Sequence, residues 1–206
     1  MRRTILACLI ALLAAPAWAD QARAFYRCGL GQFDAVPACT QFLQSNPPKD
    51  KKVSALISRG EAYATAHDYQ SAIADQNAAL ALDPKSIEAY ADRGLLEREL
   101  GNLDRSIADL SQALTLGAVG AEQMQILNAR ADAYAQRDQT DMAEADYKAA
   151  LALAPNDETA KHGLAVIRNH RATKLAFEIG AGVIAIIAVA ALIWAARTRL
   201  RPRTQP

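Results

Sequence analysis

Three histidines are the side chains of this chain whose unperturbed pKa lies near neutral pH, and they are also common metal ligands. His67, His162 and His170 are scattered along the sequence and lack the spacing of metal ligands. The chain also contains no nucleophile motif and no glycine-rich phosphate loop. We therefore predict that the protein is not an enzyme and needs no metal or other cofactor.

The cysteines offer a second kind of chemistry, either thiol–disulfide exchange or a structural disulfide. Cys8 falls within an N-terminal apolar run, which leaves Cys28 and Cys39 as a pair. A redox-active pair normally lies closer together, as in Cys-x-x-Cys, so a structural disulfide is the favoured interpretation. A thiol–disulfide enzyme that uses the same two residues is the alternative.

Arginine and aspartate recur at a separation of sixteen residues in three places. The pairs are Arg59 with Asp75, Arg93 with Asp109, and Arg130 with Asp146. Their charges cancel and they follow an internal repeat, so we interpret them as structural links between two helices rather than as a charged binding site. Where such a pair is partly buried, removing one partner leaves an uncompensated charge and is strongly destabilising.

The elements that would position these residues come from that internal repeat. Ser58-Arg59-Gly60, Asp92-Arg93-Gly94 and Ala129-Arg130-Ala131 open three matching stretches, and each stretch closes with Ala-Leu, at 79–80, 113–114 and 150–151. The first two openings are 34 residues apart and the next two are 37 apart. A period of this length predicts a solenoid of helical hairpins.

The three stretches resemble the tetratricopeptide repeat (TPR) family. They span 53–86, 87–120 and 124–156, or roughly half of the chain. The family pattern is carried by Gly60, Tyr63, Ala72, Ala79 and Pro84, then by Tyr90, Gly94, Ile107 and Ala113, and then by Tyr134, Ala143, Tyr147, Ala150 and Pro155. Glu97 and Ala131 depart from it, because the family prefers an aromatic residue and a glycine there. The resemblance implies an all-α fold that binds a protein or peptide.

The resemblance also implies where a partner would bind. The first helix of each TPR hairpin lines a concave face, which here would consist of Ser54, Ile57, Glu61, Glu88, Ala91, Leu95, Arg98, Gln125, Asn128, Asp132 and Gln136. Chaperone-binding members hold a peptide carboxylate in a basic clamp, but Ile57, Glu61, Asp92 and Gln125 occupy the matching places in this chain. A face that is merely solvated is the alternative.

The N-terminus has the features of a secretory signal peptide over 1–19. Arg2 and Arg3 precede an apolar run, and Ala17-Trp18-Ala19 provides the small residues of a cleavage site before Asp20. Export to an oxidising compartment would favour the disulfide between the two remaining cysteines. The segment 20–50 then resembles a degenerate first hairpin that this disulfide closes.

The C-terminal part has the pattern of a capping helix over 157–174 and of a transmembrane helix over 179–196. The second run has 18 uncharged residues and would be about 27 Å long as a helix, close to the roughly 30 Å of the hydrocarbon core. Whether the two helices are continuous or break near residues 169–171 is open. A buried terminal helix is the alternative to a span, although the run is apolar on all faces.

Four arginines lie directly after the run and determine the predicted topology. Arg197, Arg199, Arg201 and Arg203 lie in the tail 197–206, which the positive-inside rule places in the cytoplasm, with the repeats outside it. Small residues at 180–185 could let two such helices associate as a homo-oligomer.

The charge balance limits the possible partners. Without the six arginines of the predicted signal and tail, 17 of the 23 basic residues are left against 22 acidic ones. A net negative, exported domain is not expected to bind nucleic acid. Because the chain has no Asn-x-Ser/Thr site and a compact signal, we assign it to a bacterium.

The sequence therefore favours a non-catalytic scaffold or adaptor, a periplasmic TPR domain that is anchored in the bacterial inner membrane by a single pass. Its role would be to hold a protein partner during envelope assembly or maturation. The alternative is an accessory subunit of a membrane enzyme or transport complex that assembles through the transmembrane helix.

Overall fold

The chain is an all-α solenoid. A computed structural model describes residues 17–29 and 35–199, with the backbone alone described for 17–20, 181, 182, 185, 191 and 193–199. The helices, in chain order, are α1 (Ala17–Gly29), α2 (Ala35–Gln44), α3 (Lys49–Thr65), α4 (Tyr69–Leu82), α5 (Ile87–Glu99), α6 (Leu103–Thr115), α7 (Gly120–Gln136), α8 (Thr140–Leu153) and α9 (Glu158–Arg199).

The helices pair in order along the chain, α1 with α2, α3 with α4, α5 with α6, and α7 with α8. The first helices of successive hairpins, α3, α5 and α7, also contact one another directly, whereas within the described residues α4, α6 and α8 do not. Since the first helices approach more closely than the second ones, the array curves and the first helices lie on its inner side.

Small side chains allow the close approach within each hairpin. Ala72, Ala79, Ala113 and Ala143 are fully buried. At Gly94 even a β-carbon would lie 2.8 Å from Cγ of Leu110 on the partner helix, so glycine is needed for this packing.

The arginine–aspartate pairs at sixteen-residue spacing all form in the structure, as paired hydrogen bonds of 2.6 to 2.8 Å between guanidinium and carboxylate. Each arginine uses its remaining nitrogen to donate to the second helix of the preceding hairpin, where the acceptors are Thr40, Asn77 and Ser111. Each arginine therefore links three helices, within a hairpin and between hairpins.

The turns inside the hairpins share one unusual backbone conformation. His67, Gly101 and Asp138 have φ angles of 59°, 77° and 59°, at positions that are again 34 and 37 residues apart. Only the second hairpin has the glycine that adopts this conformation without a steric cost. The turns therefore repeat in geometry although they do not repeat in sequence.

The N-terminal hairpin is closed by a disulfide between Cys28 and Cys39, whose Cα atoms are 4.6 Å apart. Both cysteines are buried with Phe42 and Ala55, so the bond lies in the small core that joins this hairpin to α3. The first part of the predicted signal peptide, 1–16, lies outside the described residues, and residues 17–19 begin α1.

The connection between the hairpins α5–α6 and α7–α8 differs from the expected boundary. Gly117 and Gly120 have φ angles of 98° and 61°, and α7 begins at Gly120, four residues before the predicted start at 124. The early start is possible because glycine adopts the left-handed conformation with which the connection ends. It adds one further turn, with Glu122, to the inner side of the array.

Residues 158–199 form one uninterrupted helix, α9, so the predicted cap at 157–174 runs on without a break near 169–171. Asp157 accepts hydrogen bonds from the backbone N–H groups of Thr159 and Ala160 and so caps its first turn. Arg171 pairs with Asp141 and Glu144 of α8, which holds α9 against the last hairpin.

Within the part of the chain that the structure describes, no helix is both long enough and apolar enough to span a membrane. The predicted transmembrane helix at 179–196 is thus not supported by this finding. Of the four predicted topology arginines, Arg201 and Arg203 lie outside the described residues, and for Arg197 and Arg199 only the backbone is described.

Candidate protein-binding groove

The predicted concave face lies on α3, α5 and α7, the helices on the inner side of the curve. Six of its residues are exposed there: Ser54, Glu61, Glu88, Leu95, Gln125 and Gln136. Arg98 and Asp132 are partly buried, and Arg98 donates a hydrogen bond of 3.1 Å to Asp132 on the next hairpin. This cation of the inner surface is therefore already neutralised.

Three residues of the predicted face are buried instead. Ile57 packs with Leu80 and Ala89 in the core between the hairpins α3–α4 and α5–α6. Asn128 is 7% exposed and donates its amide hydrogen to Asp157, so the start of α9 covers it. Ala91 is 9% exposed and lies at the floor of a cavity. A helical register assigns a face, but contacts with neighbouring helices decide which of its residues are accessible.

Two adjoining cavities form what we call the inner groove. They share Asp92 and Leu95, which lie one helical turn apart on α5. The groove is lined by Gly60, Glu61, Ala64, Gln76, Glu88, Ala91, Asp92, Leu95, Leu96, Leu110, Glu122, Gln125, Ile126 and Ala129. These residues include four carboxylates and no basic side chain.

The carboxylates come from three different helices. Glu61 lies on α3, Glu88 and Asp92 on α5, and Glu122 on α7. The predicted face omitted Glu122 because its third hairpin began too late, although the spacing of 34 residues from Glu88 could have identified it. It also omitted Asp92, which was considered only for the basic clamp.

Burial and mutual repulsion perturb the pKa values of Asp92, Glu61 and Glu88. Burial, with added repulsion from Glu61 and Glu88, raises the pKa of Asp92 to about 7. Burial also raises the pKa of Glu61 and of Glu88, and each of the two is raised further by a neighbouring glutamate. The groove therefore carries a concentrated negative charge above neutral pH. Below neutral pH the carboxylate of Asp92 is protonated, and the charge of the groove is smaller.

Gln76 supports the groove from beneath. This glutamine of α4 is fully buried, and its Nε2 donates to Oδ2 of Asp92 at 3.1 Å. It fits because residue 60 is a glycine: a β-carbon there would lie 2.8 Å from Nε2 of Gln76. Its Oε1 has no hydrogen-bond partner among the described residues. No sequence pattern identifies Gln76, since a glutamine in a helix gives no signal of this role.

The three histidines do not converge on a site. His67 is exposed in a turn, whereas His162 and His170 lie on α9. No set of three or more metal-binding side chains is found in the described residues. The groove thus offers hydrogen-bond acceptors, negative charge and an apolar floor, which suit binding.

Two family models, both described as tetratricopeptide repeat, match residues 60–132 and 125–157 of the chain. These models and the solved structures below confirm the predicted TPR repeats. No curated protein sequence matches the chain.

Several solved TPR structures have a fold similar to that of this chain. A TPR protein from Parabacteroides merdae has a TM-score of 0.65 at 19% identity, covering 75% of this chain and 61% of that one. The Arabidopsis OM64 TPR domain has a TM-score of 0.56 at 20% identity, with 60% and 99% covered. The first TPR of Spaghetti (RPAP3), bound to the HSP90 peptide SRMEEVD, has a TM-score of 0.56 at 22% identity, with 59% and 94% covered.

Proposed function

We propose that this TPR protein is a non-catalytic scaffold whose inner groove binds a protein or peptide partner. TPR domains mediate protein–protein interactions, and the RPAP3 domain of similar fold binds a peptide. The observation that carries the proposal is the groove itself, since α3, α5 and α7 present an open surface that the chain's own described segments do not fill.

The partner differs in kind from the peptide bound by RPAP3. That peptide, SRMEEVD, has three acidic side chains and one basic one. The inner groove of this protein carries Glu61, Glu88, Asp92 and Glu122, so like charges would repel the same peptide. Resemblance in fold therefore does not extend to this ligand.

The scaffold works, in this proposal, at the periplasmic side of a bacterial inner membrane, in envelope assembly or maturation. The N-terminal signal pattern supports export, and the tail arginines support this topology. The uncharged run at 179–196 supports an anchor in the bilayer. Phe177, Ile184 and Leu192 on α9 are each 70% exposed or more, and hydrocarbon would cover such a surface more favourably than water.

Alkaline extraction of isolated membranes tests the anchor. The full-length chain should stay with the lipid, and a variant with Ile184→Lys and Ile187→Lys should be released, because charge is costly in hydrocarbon. If the unmodified chain is also released, the anchor is wrong while the scaffold proposal still stands.

Photocrosslinking in cells tests the binding surface. A diazirine-bearing residue of about the size of leucine, which leaves the groove open, replaces Leu95 in the inner groove or, as a control, Ala108, which is exposed on α6. We expect a partner to be crosslinked from position 95 and not from position 108. Crosslinking from position 108 alone would place the partner on the outer side and would contradict the proposal.

Replacing 179–196 by an unrelated membrane span distinguishes the scaffold from the alternative. A scaffold that binds through its groove should keep its crosslinked partner after the exchange. An accessory subunit that assembles through its transmembrane helix should lose it.

A further inference from the structure

The inner groove is lined by acidic side chains whose negative charge is not balanced by basic side chains of the groove. Glu61, Glu88, Asp92 and Glu122 contribute four carboxylates, and none of the described residues that line the groove is basic. The basic residue of the predicted face, Arg98, is bound to Asp132 and Glu99. The negative charge therefore lacks a counter-charge from within the groove.

A second observation concerns Gln76, at the floor of the same groove. Its side chain is fully buried, yet Oε1 has no donor among the described residues. A buried acceptor without a donor is unfavourable, and native proteins rarely leave one unpaired. Gln76 lines the same cavity as Gly60 and Asp92, so the unpaired oxygen lies beneath the surface that a donor would enter.

The two observations call for the same kind of group, one that is positively charged and rich in N–H donors. The ammonium of lysine and the guanidinium of arginine are such groups. A metal ion fits less well, because no three acidic or other metal-binding side chains of the described chain are arranged to hold one.

The apolar part of the groove favours a polypeptide over a free small cation. Leu95 is 38% exposed beside Ala91, and both face the cavity that Glu88 and Glu122 border. A peptide that alternates cationic and apolar side chains could bind carboxylates and this apolar surface together.

We propose that the inner groove recognises a cationic peptide segment, with lysine or arginine side chains paired to Glu61, Glu88, Asp92 and Glu122 and with an apolar side chain on Leu95. This inference rests on the proposed scaffold function and specifies the chemistry of the partner. A basic clamp binds an anionic carboxylate, whereas this groove would bind cationic side chains.

Fluorescence anisotropy with two labelled peptides tests the inference, using the full-length protein in detergent. One probe is Ala-Lys-Leu-Arg-Ala-Lys-Leu-Arg-Ala, and the other has Glu for each Lys and Asp for each Arg. The groove variant carries Glu61→Gln, Glu88→Gln and Glu122→Gln. The control variant carries Asp50→Asn, Asp138→Asn and Glu158→Gln, which remove the same charge from exposed positions outside the groove.

We expect the cationic peptide to bind at least about tenfold more tightly than the acidic one, the groove variant to lose about tenfold in affinity, and the control to change less than about twofold. Thermal melts should show the groove variant folded, since it loses only like-charge repulsion. Equal affinity of the groove variant and the unmodified protein would overturn the inference, and so would an equal loss in the control.

Crosslinking from position 95 separates this inference from the function on which it rests. If the cellular partner still crosslinks in the groove variant, the scaffold function stands and the cationic recognition is wrong. If no partner crosslinks from position 95 in the otherwise unmodified chain, the scaffold function itself fails.

Discussion

Gln76 and Asp92 are joined by a hydrogen bond of 3.1 Å that connects α4 to α5 beneath the inner groove. The bond places a buried amide against a carboxylate whose pKa is raised by burial and by the neighbouring carboxylates. It therefore links the packing of two adjacent hairpins to the charge of the surface that we propose as the binding site.

The first prediction concerns the pH dependence that this carboxylate imposes. The pKa of Asp92 is raised from 3.8 to about 7 in the folded protein, so the folded state holds the proton over a pH range in which the unfolded state has lost it. The contribution of Asp92 to the free energy of unfolding is greatest below about pH 4 and is lost as the pH rises towards 7. Asp92→Asn removes the dependence.

Thermal melts at pH 4.5, 6 and 8 measure the effect. The melting temperature of Asp92→Asn minus that of the unmodified protein should increase from pH 4.5 to pH 8. A difference that stays constant or decreases would show that Asp92 ionises normally in the groove.

The second prediction concerns the three-helix links. Arg93→Ala should lower the free energy of unfolding by about 2–3 kcal/mol, less than the loss of a fully buried partner, because Asp109 loses its partner while partly shielded from water. Glu99→Ala removes a more exposed contact with Arg98 and should cost less than about 1 kcal/mol. Urea denaturation of both variants measures the difference, and equal effects would contradict the structural role of the pair.

The third prediction concerns the strained turn at His67. His67→Gly should raise the free energy of unfolding by about 0.5–1 kcal/mol, because glycine adopts a φ of 59° without the steric cost of a β-carbon. Ala66→Gly is the matched control: its φ is −82°, so the substitution relieves no strain and should be destabilising. A loss of stability in His67→Gly as large as that in the control would show that the turn stores no such strain.

The fourth prediction concerns the disulfide. Replacing Cys28 and Cys39 by serine together should reduce stability by up to about 3 kcal/mol, because the link closes a short loop in the terminal hairpin. Affinity for the cationic peptide should stay unchanged, since the disulfide is in a separate core. If the double variant kept its stability but no longer supported the function of the protein in cells, the redox alternative would be favoured instead.

Much of the fold follows from the sequence, because the TPR pattern fixes both its period and its contacts. The spacing of sixteen residues between Arg93 and Asp109 predicts a link between two helices, and the structure joins them. The predicted start of α7 is too late, since the helix begins at Gly120, whose φ angle depends on the whole connection before it.

Less of the site could be predicted, because exposure depends on neighbours that are distant in sequence. Asn128 was assigned to the inner face, but it is covered by the start of α9, which lies 29 residues further on. Gln76 was not assigned a role, since its importance arises only when Gly60 and Asp92 are brought to either side of it.

The measurement that tests the central claim most directly is the affinity of the crosslinked partner, once identified, for three forms of the full-length protein. Leu95→Trp fills the inner groove without changing its charge, and Ala108→Trp adds the same side chain to the outer side. We predict that Leu95→Trp weakens binding by at least about tenfold while Ala108→Trp leaves it within about twofold. If Leu95→Trp binds as the unmodified protein does, the inner groove is not the binding surface.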